Sequence, residues 1–167
     1  MIKAMILAAA ALTMSTTTVD AQTMIQKNEI KVENHLMTPE ALWAMGRIGA
    51  AEASPNGKQI VYQVGYYSVK ENKGHQMLFV MDANGKNPKA LTTDAKSESD
   101  AAWIAGGQKI AFLREGQLWS MNPDGTDRKQ LTNDKLGIEG FKFSPDGKKV
   151  ILIKELPYHG TIKENPS

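Results

Sequence analysis

Cysteine is absent from this 167-residue chain. That absence excludes a disulfide framework, zinc sites built on Cys pairs and a lipid anchor on a thiol, and it leaves thiols silent about compartment. Charge is nearly balanced, with a net +2, and the Lys and Arg residues are scattered among acids with no basic cluster. No nucleic-acid footprint follows from such a distribution. The longest apolar stretch, Ala4 to Met14, is too short to span a bilayer. There is no G-x-S-x-G, no H-E-x-x-H, no G-x-x-x-x-G-K-[ST] and no G-x-G-x-x-G opening a helix. His35, His75 and His159 lie far apart, in linker, loop and terminal positions, and read as solvated surface histidines rather than metal ligands. Asp82-Ala-Asn84-Gly85 and Asn122-Pro-Asp124-Gly125 lack the ligand spacing and closing Glu of a calcium loop, so hairpin turns account for them. The sequence therefore nominates no catalytic, cofactor-binding or metal-binding residue, and no cofactor.

What the chain does contain is a repeat. LFVMDANGKNPKALTTD, from Leu78, aligns without a gap to LWSMNPDGTDRKQLTND, from Leu118, forty residues later. Leu78 matches Leu118, Met81 matches Met121, Gly85 matches Gly125, and Asp94 matches Asp134. The register extends to QKIAFLR at 108–114 and KKVILIK at 148–154, while the first copy, KQIVYQV at 58–64, stands fifty residues before the second. The ten extra residues fall in the polar stretch from Tyr66 to His75, which reads as a lengthened hairpin loop or a twisted strand extension; such insertions cost little closure entropy.

Each copy alternates short apolar runs with Gly-centred turns at Asn56-Gly57, Asn84-Gly85, Gly106-Gly107, Glu115-Gly116, Asp124-Gly125 and Asp146-Gly147. These dipeptides suit type I′ turns and hence antiparallel hairpins. The best-defined copy reads as four strands, roughly Ser99–Ile104, Lys109–Arg114, Gln117–Met121 and Lys129–Thr132. Four short strands in forty residues make a blade of a β-propeller. Ile110 and Phe112 alternate with Ala111 and Leu113, and Val150 and Leu152 with Ile151 and Ile153, so both strand faces are apolar, as in a blade held between two neighbours. Trp103, Trp119 and Phe143 are read as packing between blades.

The expected organisation is a secretory signal peptide over 1–21, with cleavage after Ala21 and export to the periplasm or beyond; a linker over 22–37; and a short helix within 38–47, Pro39 to Met45, capped by Thr38. Blade 1 then covers 48–97, blade 2 covers 98–137, and a partial blade 3 covers 138–167. The fold class is all-β, an incomplete propeller of about two and a half four-stranded WD40-like or TolB-like blades. Propellers close with about four to eight blades, so the chain reads as the front of a longer one, whose bare blade face would bind hydrophobic dye and self-associate if isolated.

The turns carry the identity of the repeat: Ser144-Pro145-Asp146-Gly147-Lys148, its variant Ser54-Pro55-Asn56-Gly57-Lys58, and Leu118-Trp-x-Met-Asn-x-Asp-Gly125 closed by Gln130-Leu131-Thr132. They resemble the propeller repeats shared by TolB-like periplasmic proteins and by the prolyl oligopeptidase (S9) family of serine peptidases. His35-Leu36-Met37-Thr38-Pro39-Glu40-Ala41-Leu42-Trp43, running through Gly46-Arg47-Ile48-Gly49 into the Ser-Pro-Asn-Gly turn, is similar to the start of exported bacterial dipeptidyl-peptidase members of S9. The likeness covers roughly Leu36 to Lys163. It implies a propeller that gates access of oligopeptide substrates to an α/β-hydrolase domain carrying a serine, an acid and a histidine. None of that triad can be placed on this sequence, and there is no Glu-Glu pair to match the amine clamp found in part of the family. The implied partners are the oligopeptide, reached through that catalytic domain, and the remaining blades; no nucleic acid and no stable membrane anchor are expected. The alternatives are a non-enzymatic TolB-like scaffold and a propeller-built lyase or glycan-active enzyme.

Overall fold

The computed structural model describes residues 24–27 and 36–156. The leader, His35 and His159 lie outside the described residues. One helix, α1 (Pro39–Ala44), precedes ten strands: β1 (Arg47–Ala53), β2 (Gln59–Ser68), β3 (Lys73–Asp82), β4 (Lys89–Ala90), β5 (Glu98–Ile104), β6 (Lys109–Arg114), β7 (Gln117–Met121), β8 (Lys129–Gln130), β9 (Gly140–Phe143) and β10 (Val150–Ile153). They form two four-stranded antiparallel sheets in the order β1-β2-β3-β4 and β5-β6-β7-β8, and a two-stranded sheet of β9 and β10. This is the blade architecture of an incomplete all-β propeller.

The repeat is also visible in its irregularities. β1 carries a bulge between Ile48 and Ala51, and β5 carries one between Ser99 and Ala102. The fourth strands are shorter than expected, ending at Ala90 and Gln130 rather than at the following Leu-Thr. Those residues finish the ladder differently: Leu91 and Leu131 donate to the Leu78 and Leu118 carbonyls, at 2.7 and 2.8 Å. Thr92 and Thr132 then turn their hydroxyls back to accept the N–H of Leu78 and Leu118, each at 2.9 Å.

Turn chemistry departs from expectation in one informative way. Only Glu115-Gly116 places two residues at positive φ between directly paired neighbours, Arg114 and Gln117, as a type I′ hairpin requires. At Asn56-Gly57, Asn84-Gly85, Asp124-Gly125 and Asp146-Gly147 the glycine alone has positive φ. Its N–H bonds to the carbonyl three residues earlier, as for Gly57 to Ser54 and Gly147 to Ser144, both at 2.8 Å. These are type I turns followed by a left-handed glycine. Pro55 and Pro145 suit the first central position of this turn, where the ring fixes φ negative, and Ala83 takes the same place before Asn84-Gly85 without a ring. Asn56 and Asp146 then accept the N–H of Lys58 and Lys148, at 3.0 and 3.1 Å.

Two apolar clusters hold the blades together. Val61, Leu78, Val80 and Leu91 of the first sheet meet Trp103, Ile110, Phe112 and Met121 of the second, with Trp119 at the margin. On the opposite face of the second sheet, Ala111, Leu113 and Leu118 meet Ile138, Phe141, Phe143 and Leu152. β6 is thus buried on both sides, with Ile110 and Phe112 toward one neighbour and Ala111 and Leu113 toward the other. The three aromatics are packing residues, and the Trp103 indole also donates to the Glu52 carbonyl at 3.0 Å across the seam. At β10 one face is covered, through Leu152, while Ile151 and Ile153 are exposed among the described residues, the bare blade face expected of an incomplete propeller.

Ion pairs follow the same forty-residue period. Asp94, just after the first sheet, pairs with Arg114 at 2.8 Å; its counterpart Asp134 pairs with Lys154, the counterpart of Arg114. In the first seam a third group joins them. Glu98, wholly buried at the start of β5, accepts from Arg114 at 2.8 Å, from Arg128, and from the Thr92 hydroxyl at 2.9 Å. Arg128 also donates to the Leu91 carbonyl, so the cluster ties both sheets at main-chain level. In the second seam the position of Glu98 is taken by Ile138, which is also buried.

Burial pushes the Asp94 carboxyl up, but the Arg114 hydrogen bond, the Lys96 N–H and nearby positive charge outweigh it and hold the group below its ordinary 3.8. Asp134 is likewise lowered, chiefly by its bond to Lys154. For carboxyls depressed in the folded state, the stabilisation is complete above the unfolded value and is lost as pH falls through the folded one. The melting temperature should therefore drop as pH is taken from 5 to below about 4. Asp94→Asn should flatten that acid limb; an unchanged limb in the variant would contradict this role for Asp94.

Candidate functional site

The stretch from Tyr66 to His75 is a strand extension rather than a loop. β2 and β3 stay paired to their tip, Ser68 opposite Lys73, ten residue pairs in all. The tip is closed by Asn72, which has positive φ and donates its N–H to the Val69 carbonyl at 3.3 Å; the Ser68 hydroxyl accepts the Glu71 N–H at 3.2 Å. The Tyr67 hydroxyl bonds the Asn72 side chain.

Side chains alternate across this ribbon, so Gly65, Tyr67, Gly74 and Gln76 continue the face on which Val61, Leu78 and Val80 meet the second sheet. Val64, Tyr66, His75 and Met77 occupy the other face. Burial pushes the Tyr66 phenol up from its ordinary 10.0. His75 corrects the expectation of a solvated histidine: it is only 2% exposed, and its Nδ1 lies 2.6 Å from the Ile25 carbonyl oxygen. With a carbonyl as partner, Nδ1 carries the proton, and Nε2 is buried without a partner among the described residues. The signal missed in sequence is its register, opposite Tyr66 and two residues before the buried Met77.

Helix α1 closes one side. The Thr38 hydroxyl caps it by accepting the Ala41 N–H at 3.2 Å, Pro39 opens it, and Ala41 is buried. It ends at Ala44, one residue before expected. Its Trp43 ring lies 5.1 Å from that of Tyr67, and the Arg47 guanidinium sits 4.7 Å from the centre of the Trp43 ring. Arg47 also donates to the Leu42 carbonyl at 3.5 Å, and it has no carboxylate partner among the described residues.

These groups enclose a cleft of about 520 Å³ between the extended hairpin, α1 and the crossing to the second sheet. Gly65 and Gly74 form its floor: a Cβ at either would meet nothing closer than 3.8 Å. Gln76 and Ser97 line the far side, where the Ser97 hydroxyl accepts the Gln76 N–H at 3.1 Å. Gln63 fixes that side by bonding Gln76 at 2.9 Å and accepting the Asp100 N–H at 3.2 Å. Among the described residues, no acidic side chain lines the cleft. It offers a guanidinium, aromatic faces and bare backbone, and no nucleophile paired with a base. No group of three or more His, Asp or Glu is placed to hold a metal ion among the described residues. No helix among them is long and apolar enough to cross a membrane.

Comparison with known proteins gives the affinity of the chain. No protein-family model matches it. It is 40% identical over 139 residues, 80% of its length, to dipeptidyl-peptidase 5 of Porphyromonas endodontalis. It is 38% identical over 132 residues, 77% of its length, to dipeptidyl-peptidase 5 of Porphyromonas gingivalis. The chain spans about a fifth of each relative, 20% and 19%. Among solved structures, an acylaminoacyl peptidase of Pyrococcus horikoshii superposes with a TM-score of 0.56 at 15% identity, over 68% of this chain and 18% of that one. At that identity the superposition speaks for the fold alone.

Proposed function

The chain is part of the β-propeller of an S9-family serine peptidase, related to dipeptidyl-peptidase 5, and from that premise we propose that it forms one wall of the gate through which oligopeptides reach the catalytic domain of the whole enzyme. The observation that carries this reading is the identity of 40% over 139 residues, 80% of this chain, to a dipeptidyl-peptidase. The proposed reaction of the whole protein is removal of dipeptides from the free N-terminus of oligopeptides. A serine attacks the carbonyl with histidine as base, and backbone N–H groups hold the oxyanion. This chain contributes steric selection, because a wall of packed blades admits only short, unfolded substrates. The protein is proposed to be exported by its leader, with Gln22 as the mature N-terminus. A TolB-like scaffold has less support, since both curated relatives above are dipeptidyl-peptidases.

The test is to clone and express the complete reading frame that carries this sequence. A G-x-S-x-G serine downstream, dipeptides released from unblocked peptides and a mature mass beginning at Gln22 are the expected results. A frame without that serine, or a purified product that releases nothing, would overturn the peptidase reading.

Within that enzyme, the extended hairpin should bear on substrate length. Replacing Tyr66 and Tyr67 with Ala removes a ring under Gly46, where a Cβ would approach Tyr66 Cε1 to 2.8 Å, and the ring against Trp43. The ratio of kcat/KM for short over long peptides should shift by on the order of threefold to tenfold. An unchanged ratio across peptide lengths would remove the hairpin from the gate.

A further inference from the structure

The cleft beside the extended hairpin has a composition that a steric wall does not require. A wall needs bulk, and here the two residues facing the opening from the ribbon are Gly65 and Gly74, neither of which has the positive φ that would demand glycine. Arg47 stands at the mouth with its guanidinium laid on Trp43, so its plane is set in advance, while its only hydrogen bond among the described residues is the 3.5 Å contact to the Leu42 carbonyl. Most of its five donors are uncommitted. In the two blade seams, by contrast, Arg114, Arg128 and Lys154 are all matched by carboxylates. Among the described residues no acid lines the cleft to repel an anion, and Gln76 and Ser97 supply polar groups across Gly65 from the arginine.

We infer that this cleft is a carboxylate-binding subsite for the C-terminal end of an oligopeptide. The guanidinium fork accepts a carboxylate with two parallel bonds. Gly65 and Gly74 let the peptide backbone lie close on the ribbon, and the Trp43 and Tyr67 rings receive its last apolar side chain. The inference rests on the gating reading above, which supplies the peptide. It adds a reason for length selection: a substrate held at its far end by Arg47 has its reach toward the catalytic centre fixed by its number of residues. An acidic side chain offers the same chemistry as a chain terminus, and the experiment separates the two sources.

Binding is measured by calorimetry on the full chain with three N-acetylated tetrapeptides: one ending in Phe as the free acid, the same peptide amidated, and an amidated version with an internal Asp. The free acid should bind about tenfold tighter than the amide, and Arg47→Gln should abolish the difference. Tight binding of the Asp peptide as well would support the carboxylate site and extend it to side chains. Gly65→Val should block all binding by filling the floor, and its melting temperature should match the parent because the added atoms project into open space. Equal affinity for acid and amide, no binding of either, or a preference that survives Arg47→Gln would overturn the subsite. Because the readout needs no catalysis, such a failure leaves the gating reading standing, whereas loss of length selection in the whole enzyme would not.

Discussion

Glu98→Ala should cost the chain about 3–5 kcal/mol of stability, although Glu98 touches no cleft and belongs to no catalytic group. Its carboxylate is wholly buried and accepts from Arg114, Arg128 and Thr92. Removing it leaves Arg114 with Asp94 at 2.8 Å and Glu115 at 4.0 Å but leaves Arg128 with no acid among the described residues, while the guanidiniums remain largely shielded from water, at 12% and 22% side-chain exposure. The cost comes from the stranded Arg128, and from the weakened pairing of Arg114, rather than from the lost attraction, because desolvation of an unpaired charge exceeds what the pair gained. The second seam supplies the control. There the same ladder position holds Ile138, the cation paired with Asp134 is Lys154, and both partners are partly exposed. Lys154→Ala should cost under about 1 kcal/mol. Urea unfolding of the three proteins decides the matter: equal midpoints for Glu98→Ala and the parent would show that the arginines find water on losing their acid.

That contrast also shows what sequence reading could reach. The forty-residue alignment already paired Asp94 with Asp134 and Arg114 with Lys154, because each change is conservative in charge. It did not show that the aspartate of one blade meets the cation of the next, since that contact arises only when sheets stack. Glu98 stands one residue before the strand expected from Ser99, beside Ser99 and Asp100, and nothing in that polar context marks it as a buried ion. The architecture was legible because four-strand periodicity, Gly-centred turns and apolarity on both faces of β6 agree with one another. Turn type was misread where Asn-Gly or Asp-Gly was taken as a pair. The turn starts one residue earlier than that dipeptide: its central pair is Pro55-Asn56, Ala83-Asn84 or Pro145-Asp146, and the glycine follows it in the left-handed region. The cleft was half legible. The insertion from Tyr66 to His75 marked the place, whereas Arg47 and Trp43 lay in the preamble and nothing in their spacing tied them to it. His75 was missed because a polar stretch disguised strict alternation.

The second large effect belongs to Phe112. It is wholly buried on β6, facing the seam that joins the first two sheets, with Trp119 as its cross-strand partner and the Arg128 guanidinium 5.8 Å from its ring. Phe112→Ala should cost about 3–5 kcal/mol, since the flanking strands are fixed by their own ladders and cannot close over the void. That loss is comparable with the whole stability of many domains, about 5–15 kcal/mol, so the variant should be largely unfolded in modest denaturant. Leu113→Ala, one residue on and facing the other seam, should cost less, about 2–3 kcal/mol, because the neighbour there is a two-stranded sheet with an exposed far side that can shift. The order of the two losses separates a propeller from a stack of independent hairpins. If each sheet were stable alone, both substitutions would cost a similar small amount and the midpoint would barely move. If the seams carry the fold, Phe112→Ala should also loosen the first sheet, which it touches only through side chains. Hydrogen exchange of the Val61 and Leu78 amides reads this directly: faster exchange at both would place the stability of the gate between its blades, and unchanged protection would place it within them.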